Sequence, residues 1–436
     1  MGWPHLVALG IGAIVGTGIL TLIGVGADKA GPAVLLSFFI AGAVCTCAAL
    51  AYAEMAAMFP AAGGAYAYVR SIFGDFPAWL IGWMLMVEYS LVVGAVAVGW
   101  SGYAAPLLAH WTGIPMALMK GPADGGIVNL PAVFIIVVVT GLLLIGTRKS
   151  ASLNAVLVLL KLATLLLFVV VTLPEFDLAN LTPFNPYGFA KTVDAGGAER
   201  GVMAAAAIIF SAFYGFDAIA SAAEETHDPS RNIAIGILGS MLGCAVIYLV
   251  IAAAALGAAP FTHFAGSPEP LALILRNLGQ PGAAQALAAA AVIALPTVIF
   301  AFFFGQTRVC FAMARGGMLP RRLARTSASG TPIWSTFTTA AIVSVVAAFL
   351  PLGEIVALAN AGTLVVFAAV AVAMLVMRRR APLARRPYRA PLAWITGPAA
   401  IIGCLFLFLS LPRSTQILFL GWNVAVALIY SVRRRF

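Results

Sequence analysis

The sequence predicts an all-α polytopic membrane protein with about twelve transmembrane helices. Hydrophobic residues make up 62% of the chain and charged residues 9%, and the mean hydropathy is +1.04. A soluble domain of this length does not have that composition. Uncharged spans long enough to cross about 30 Å of hydrocarbon recur along the chain. They lie near 4–27, 32–58, 77–107, 130–147, 150–173, 200–223, 233–258, 283–312, 332–350, 354–378, 393–411 and 414–432.

The basic residues are distributed unequally between the two sides of the predicted bundle. With the N-terminus inside, most Lys and Arg residues fall in loops on the cytoplasmic side, with dense groups at 315–325 and 378–389. The positive-inside rule therefore predicts that both termini are cytoplasmic. The net charge of +10 follows from this topology, and nucleic acid is not an expected partner.

Cysteine and histidine offer no ligand set. The five cysteines lie in or beside apolar spans, and the four histidines are scattered without the spacing of a metal site. Buried cysteines of this kind usually act as small hydrophobic residues. No metal and no cofactor are predicted.

The chain is predicted to form a single transmembrane domain over residues 1–436, built from two repeats. The polar outer segment 174–199 separates the fifth span from the sixth, so that 4–173 and 200–378 become inverted repeats of five spans. The last two spans, 393–432, lie outside the repeats and are expected to pack against them or against another subunit. Matching interruptions in two inverted halves indicate the binding site of a secondary transporter.

The predicted interruptions lie at 16–18 and 214–217, each midway along an apolar span. Lipid tolerates broken backbone only where it faces protein or a cavity. The outer half of the first span is predicted to start at Gly18-Ile19, where its free amide groups suit a carboxylate, and Gly16 and Gly18 let the main chain approach a ligand. The carbonyls that end the preceding half-helices, near 13–15 and 211–214, suit an ammonium group. Together they describe the backbone of a zwitterionic amino acid. The alternative is that the glycines simply permit close helix packing.

Lys161 is the clearest single candidate for proton coupling. It lies about 16 Å into a span of roughly 30 Å, where a charge needs a partner inside the bundle. The hypothesis is that its ammonium group occupies the place of a sodium ion between the first and eighth spans, hydrogen-bonded to carbonyls at the break. Burial disfavours the charged amine, so Lys161 could release and regain a proton.

Several other polar or aromatic residues have two possible interpretations, one functional and one structural. Glu88 lies near mid-depth and could contact a cationic or small polar substrate, or it could be a structural partner of Tyr89 or Ser90. Tyr214 and Phe216 flank the second break and could wall the substrate pocket, although aromatic residues in membrane helices are more often packing residues.

Four acidic residues are candidate gate or structural groups. Asp217 begins the inner half of the sixth span, where a carboxylate caps free amides. Glu54 lies near the inner end of the second span. Glu224 and Glu225 belong to a polar cytoplasmic segment that forms either a surface helix or part of an inner gate.

With these motifs in place, the sequence resembles amino acid/polyamine/organocation permeases, and within them the bacterial relatives of cationic amino acid transporters. The resemblance covers nearly the whole chain and rests on several motifs in order. They are Gly10-Ile-Gly-Ala-Ile-Val-Gly-Thr-Gly-Ile19, Ala53-Glu54 with Pro60-Ala-Ala-Gly-Gly-Ala-Tyr66, Glu88-Tyr89 with Val98-Gly-Trp-Ser-Gly-Tyr103, Gly215-Phe216-Asp217 with Glu224-Glu225, and Gly305-Gln306-Thr307-Arg308.

The resemblance implies a leucine-transporter-like fold, proton-linked amino acid uptake and a lysine in the fifth helix in place of sodium, matched by Lys161. It implies substrate contacts at Ile14, Thr17, Gly18, Ser211, Tyr214 and Glu88. Ser211 stands where a bulky aromatic residue is expected, Phe304 where a tyrosine is usual, and Pro296 is also a departure. The first change could widen the pocket, and the other two touch the helix expected to face Lys161.

The sequence therefore predicts a proton-coupled symporter that carries a small neutral or cationic L-amino acid into the cytoplasm across a bacterial inner membrane. An exchanger or a sodium-coupled carrier is the closest alternative, and a non-transporting amino acid sensor is a more distant one. The intramembrane residues lack a nucleophile and base pair, so an enzyme is not expected. The expected partners are the amino acid, protons, the lipid bilayer, and either a small accessory membrane subunit or a second copy of the chain.

Overall fold

The structure, a computed structural model, describes residues 2–59, 63–145, 150–221, 226, 228–326 and 332–433. In these ranges nine helical stretches are long and apolar enough to cross a membrane. Three shorter apolar helices accompany them, at Leu130–Leu144, Val202–Phe213 and Ile333–Phe349. The chain is therefore a polytopic helical membrane protein, as its composition predicts.

Seventeen α-helices and one short hairpin make up the described fold. The hairpin pairs β1 (Thr192–Val193) with β2 (Glu199–Arg200) in antiparallel register. The helices are α1 (Trp3–Ile14), α2 (Thr17–Leu20), α3 (Leu22–Ala30), α4 (Val34–Met58), α5 (Ala65–Phe73), α6 (Asp75–Thr112), α7 (Leu130–Ile145), α8 (Ser150–Thr172), α9 (Val202–Ile209), α10 (Phe216–Ser221), α11 (Pro229–Ala258), α12 (Pro270–Asn277), α13 (Pro281–Arg315), α14 (Ile333–Phe349), α15 (Leu352–Arg380), α16 (Ala393–Ser410) and α17 (Arg413–Arg433).

The first predicted span is interrupted between α1 and α2. Helix α1 ends at Ile14, and helical structure resumes at Thr17, so the interruption begins slightly before the predicted position at 16–18. Thr21 joins α2 to α3, and the three helices together cover the first predicted span.

The sixth predicted span is interrupted in the same manner. Helix α9 ends at Ile209 and continues as a 3-10 turn over Phe210–Phe213, and α10 begins at Phe216. Between them Gly215 has φ +115°, a conformation that favours glycine because other residues have a Cβ.

The two interruptions pack directly against each other. A Cβ atom added to Gly18 would lie 2.5 Å from the Cα of Ala212, and one added to Gly215 would lie 2.8 Å from the carbonyl carbon of Ala13. Each break thus presents a glycine to the backbone of the other. This reciprocal contact fixes the place where the two broken spans cross.

The remaining helices enclose this crossing. Helix α11 packs against α4 and α1, and the long α6 packs against α13 and α15. Helix α16 contacts α15 and α4, whereas only 11% of the most apolar stretch of α17 is buried. Of the two helices predicted outside the repeats, α16 therefore packs against the bundle, while α17 leaves most of its apolar surface exposed.

The segment predicted as a joint between the two repeats carries the β1–β2 hairpin. The amide of Ala198 and the guanidinium of Arg200 hold the pKa of Asp194 below its usual value. Lys191 donates a 2.6 Å hydrogen bond to the carbonyl of Leu411, which follows α16. The hairpin is therefore tied to the end of α16.

Candidate functional site

A small cavity lies at the crossing of the two breaks. Its volume is about 30 Å³, room for roughly two water molecules. Backbone or side chains of both breaks line it, at Ala13, Ile14, Gly16, Thr17, Gly18, Ser211 and Tyr214. The other lining residues are apolar and come from α3, α6, α13 and α15: Leu22, Val92, Ala95, Val96, Val298, Phe302, Val356 and Ala359.

The structure brings six of the eight predicted substrate-contacting residues to this cavity. They are Ile14, Gly16, Thr17, Gly18, Ser211 and Tyr214. The other two lie outside its lining. Phe216 is fully buried and packs against Tyr52 and Phe367, with ring centroids 5.6 and 5.1 Å away. Glu88 lies in α6 one helical turn before Val92.

Lys161 reaches the first break from α8. Its side chain is almost fully buried, and its Nζ donates to the carbonyl of Gly12 at 2.8 Å and to Oγ1 of Thr297 at 3.0 Å. Thr297 belongs to α13 and precedes the cavity residue Val298. The ammonium group therefore bridges the end of α1 and the middle of α13, the geometry that the sequence hypothesis requires.

Tyr248 provides a second donor at the same break. Its hydroxyl group, from α11, donates a 2.7 Å hydrogen bond to the carbonyl of Ile14. Its ring packs against Phe213 of the second break, with the centroids 5.3 Å apart. One buried side chain thus contacts both breaks, through its hydroxyl on one side and through its ring on the other.

Asn360 provides hydrogen-bond donors at the second break. Its Nδ2 donates to the carbonyls of Ala207 and Ile208 at 2.6 and 3.0 Å, and its Oδ1 accepts a hydrogen bond from the hydroxyl of Tyr214. The last carbonyls of a helix have no partner within that helix. Asn360 satisfies two of them and fixes the orientation of a cavity-lining tyrosine.

These contacts correct one prediction from the sequence, which concerns the backbone carbonyls at the breaks. The carbonyls near Ile14 and Ser211 are predicted to be open to an ammonium ligand, but that of Ile14 already accepts a hydrogen bond from Tyr248. The carbonyls of Gly12, Ala207 and Ile208, which lie earlier in the same half-helices, also accept hydrogen bonds from protein side chains. The side chains responsible, apart from Lys161, were not among the predicted residues. Each is an isolated polar group in an apolar helix, which is the signal that could have identified it.

Asp217 accepts hydrogen bonds from two groups beside the second break. The amide of Gly215 donates to its Oδ1 at 3.2 Å, as expected of a helix-capping carboxylate, and the hydroxyl of Tyr89 donates to its other oxygen. The ring of Tyr89 lies 5.7 Å from that of Phe302, which lines the central cavity. A second cavity, of about 10 Å³, is lined by Tyr89, Asp217, Arg308 and neighbouring residues. Tyr89 therefore lines the second cavity and packs against the wall of the first.

The remaining predicted carboxyl groups differ in their surroundings. Glu88 is 2% exposed, and among the described residues its Oε2 has no hydrogen-bond donor. Glu54 is also buried but forms ion pairs with Arg378 and Arg386. A buried carboxylate oxygen needs a donor, so Glu88 is the position where a proton or a ligand could supply one. Glu224 and Glu225 lie outside the described residues.

Comparison with known proteins gives consistent matches along the whole chain. A family model described as amino acid permease matches residues 1–432. The chain is 39% identical to the branched-chain amino acid permease BcaP of Bacillus subtilis, over 100% of this chain and 93% of that protein. It is 35% identical to the methylthioribose transporter of the same species, over 99% and 92% of the two chains. It is 32% identical to cationic amino acid transporter 4 of Arabidopsis thaliana, over 86% and 62%.

Replacing Tyr248 by phenylalanine should loosen the first break without emptying the core. The ring would still pack on Phe213, but the buried carbonyl of Ile14 would lose its donor. We expect the free energy of unfolding to fall by about 1–3 kcal/mol and amide hydrogen exchange to accelerate at residues 15–18. Exchange monitored by mass spectrometry checks this. Tyr187→Phe, in the outer segment, is the matched control and should leave those amides unchanged. Equal exchange in both variants would show that the hydroxyl group of Tyr248 does not hold the break.

Proposed function

Because the chain belongs to the amino acid permease family, we propose that it carries an L-amino acid with an aliphatic side chain across the membrane. The cavity at the two breaks is the proposed binding site, and because it has room for only about two water molecules, an amino acid fits there only after the lining helices move apart. Substrate entry and release then require the two broken spans and their neighbours to move relative to α6 and α13, so that the site opens to one side at a time.

The backbone of the substrate is proposed to bind the breaks themselves. The first amides of α2, at Thr17, Gly18 and Ile19, precede the intrahelical bonding pattern and suit the carboxylate. The ammonium group is assigned to the opposite side of the cavity, at the backbone of Ala13 and the hydroxyl of Ser211. Both lie in the lining, which supports this arrangement.

The proposed substrate class rests on the apolar residues around the cavity. Val92, Val96, Val298, Phe302 and Val356 surround the space beyond the backbone site. A branched aliphatic side chain loses unfavourable contact with water there, at roughly 25 cal/mol per Å² of buried apolar surface. A cationic side chain would find no carboxylate in the described lining. The similarity to the branched-chain permease BcaP agrees with this choice.

A cationic substrate is the second candidate, and one observation favours it. The unpaired Oε2 of Glu88 lies one turn of α6 from Val92, within reach of a long side chain if the wall opens. The similarity to cationic amino acid transporters points in the same direction. Without such an opening, Glu88 is separated from the cavity.

The arrangement proposed for the whole chain is the one that the sequence predicts. It comprises about twelve spans, inverted repeats at 4–173 and 200–378, and two additional helices at 393–432. Both termini face the cytoplasm of a bacterial cell, and the protein lies in the plasma membrane. The reciprocal packing of Gly18 and Gly215 against the opposite break supports the repeat arrangement, because each broken span contacts the end of the first half of the other.

Lys161 is the proposed site of proton coupling. Protonated, it donates to Gly12 and Thr297 as described and holds α1 against α13. Deprotonated, it loses a charge-assisted contact across the same interface, and the end of α1 becomes free to move. The Tyr89–Asp217 pair is proposed as the inner gate, since it lines the second cavity beside Arg308 and packs against Phe302 of the central cavity.

The substrate class can be tested by thermal stabilisation of the purified protein. Leucine, isoleucine and valine should raise the melting temperature, because a ligand at 100 times its dissociation constant stabilises the folded state by about 2.7 kcal/mol. Lysine and arginine should leave it unchanged. Stabilisation by lysine or arginine, with no effect of the aliphatic amino acids, would transfer the assignment to the cationic class.

The coupling ion can be tested with Lys161→Ala in proteoliposomes. An inward proton gradient should drive accumulation of the stabilising amino acid by the parent protein and by the control Lys120→Ala, a surface lysine. Lys161→Ala should reduce accumulation to equilibration, because no titrating group spans α1 and α13. Two results contradict the proposal: proton-driven accumulation that survives in Lys161→Ala, and accumulation that depends on sodium or on amino acid inside the vesicles.

A further inference from the structure

The segment that joins α15 to α16 carries an unusual concentration of arginine. Residues 378–392, called the arginine segment here, contain Arg378, Arg379, Arg380, Arg385, Arg386 and Arg389 and no acidic residue. The positive-inside rule explains why such a segment faces the cytoplasm. It does not explain how the segment is folded.

Two of these arginines are partly buried and pair with Glu54. Arg378 donates from Nε to Oε1 of Glu54 at 2.9 Å, Arg386 lies 3.3 Å from the same oxygen, and the amide of Ala390 donates to Oε2 at 2.8 Å. The guanidinium of Arg386 also donates to four backbone carbonyls, those of Met377, Ala381, Pro382 and Ala384. A buried carboxylate thus shapes the segment and anchors it to α4.

The other four arginines project from this folded segment. Arg379, Arg380, Arg385 and Arg389 are exposed, and no carboxylate of the described chain forms an ion pair with them. The segment therefore presents a group of uncompensated guanidinium charges held by a structured backbone.

Apolar side chains are exposed beside these charges. Leu383 is 98% exposed, and Leu392 is 72% exposed in a backbone conformation with φ +46°. Trp394 is 52% exposed and lies under the guanidinium of Arg379, 5.2 Å from its ring centroid. Because α16 begins at Ala393, these residues stand where the chain enters the apolar layer. Aromatic residues favour that boundary.

We propose that the arginine segment is a binding site for the headgroups of anionic phospholipids in the cytoplasmic leaflet. Guanidinium groups bind phosphate through paired hydrogen bonds, and clusters of basic residues next to a membrane helix recognise anionic lipids. The exposed leucines and Trp394 contact the acyl chains at the same boundary. This inference rests on the cytoplasmic orientation in the proposed function, not on the identity of the transported amino acid.

Binding of a headgroup at the arginine segment should also affect the second break, through α4. Glu54 belongs to α4, and α4 packs against α9, α10 and α11 around the second break. A lipid that stabilises the arginine segment therefore also stabilises α4, because the Glu54 ion pairs connect the two. We expect anionic lipid to stabilise the protein as well as to bind it.

The test compares two double variants in lipid nanodiscs. One is Arg385→Gln with Arg389→Gln, and the matched control is Arg322→Gln with Arg325→Gln, which removes the same charge from exposed residues of another loop. Each protein is placed in phosphatidylcholine alone and in phosphatidylcholine with phosphatidylglycerol, and its melting temperature and retained phosphatidylglycerol are measured. Leu383→Gln, at an exposed position, tests the apolar contact in a variant without a change of charge.

Phosphatidylglycerol should raise the melting temperature of the parent and the control. In the Arg385/Arg389 variant that rise should disappear, and the affinity for phosphatidylglycerol should fall by about tenfold or more. Leu383→Gln should show a smaller loss. Equal loss in both double variants would indicate a general surface potential, and no loss in either would exclude the site. Stabilisation by the amino acid in phosphatidylcholine should be the same in all variants, which separates this outcome from a failure of the proposed function.

Discussion

The architecture depends on the need to satisfy backbone polar groups where two helices break inside a membrane. Hydrocarbon offers no hydrogen bonds, and an unpaired buried carbonyl destabilises the fold. Lys161 and Tyr248 supply donors at the end of α1, and Asn360 supplies them at the end of α9. These three side chains come from three different helices. The breaks therefore hold α8, α11 and α15 in place, and those helices hold the breaks.

The need to satisfy backbone polar groups also determines the candidate site, which is small and combines polar backbone at the breaks with an apolar wall. The residues of the breaks that line the cavity belong to a short stretch of each broken span, at Ala13, Ile14, Gly16, Thr17, Gly18, Ser211 and Tyr214. Reciprocal glycine contacts bring those stretches together. The rest of the wall is aliphatic or aromatic. The proposed substrate, a zwitterionic amino acid with an apolar side chain, has the chemistry of both parts of the site.

Much of this could be predicted from the sequence, since its strongest signals are local. Glycine clusters within apolar spans locate the breaks, and a charge at mid-depth identifies Lys161. The partners could not be predicted in this way, because Tyr248 and Ile14, or Asn360 and Ala207, are distant in sequence and meet only through packing. The depth of Glu88 could likewise be calculated, but not that it lies outside the cavity lining. Glu54 was assigned as a gate or structural residue, and its ion pairs with the arginine segment favour the structural role.

The central claim is that the broken backbone recognises both charged groups of an amino acid. The most direct measurement compares the affinity of L-leucine with that of two analogues, 3-methylbutylamine, which lacks the carboxylate, and 4-methylpentanoate, which lacks the ammonium group. Each charged hydrogen-bonding group contributes about 1.5–3 kcal/mol, so each analogue should bind about tenfold to hundredfold more weakly than leucine. An analogue that binds as tightly as leucine would contradict the account, because the groups assigned to the missing charge would then contribute nothing to recognition.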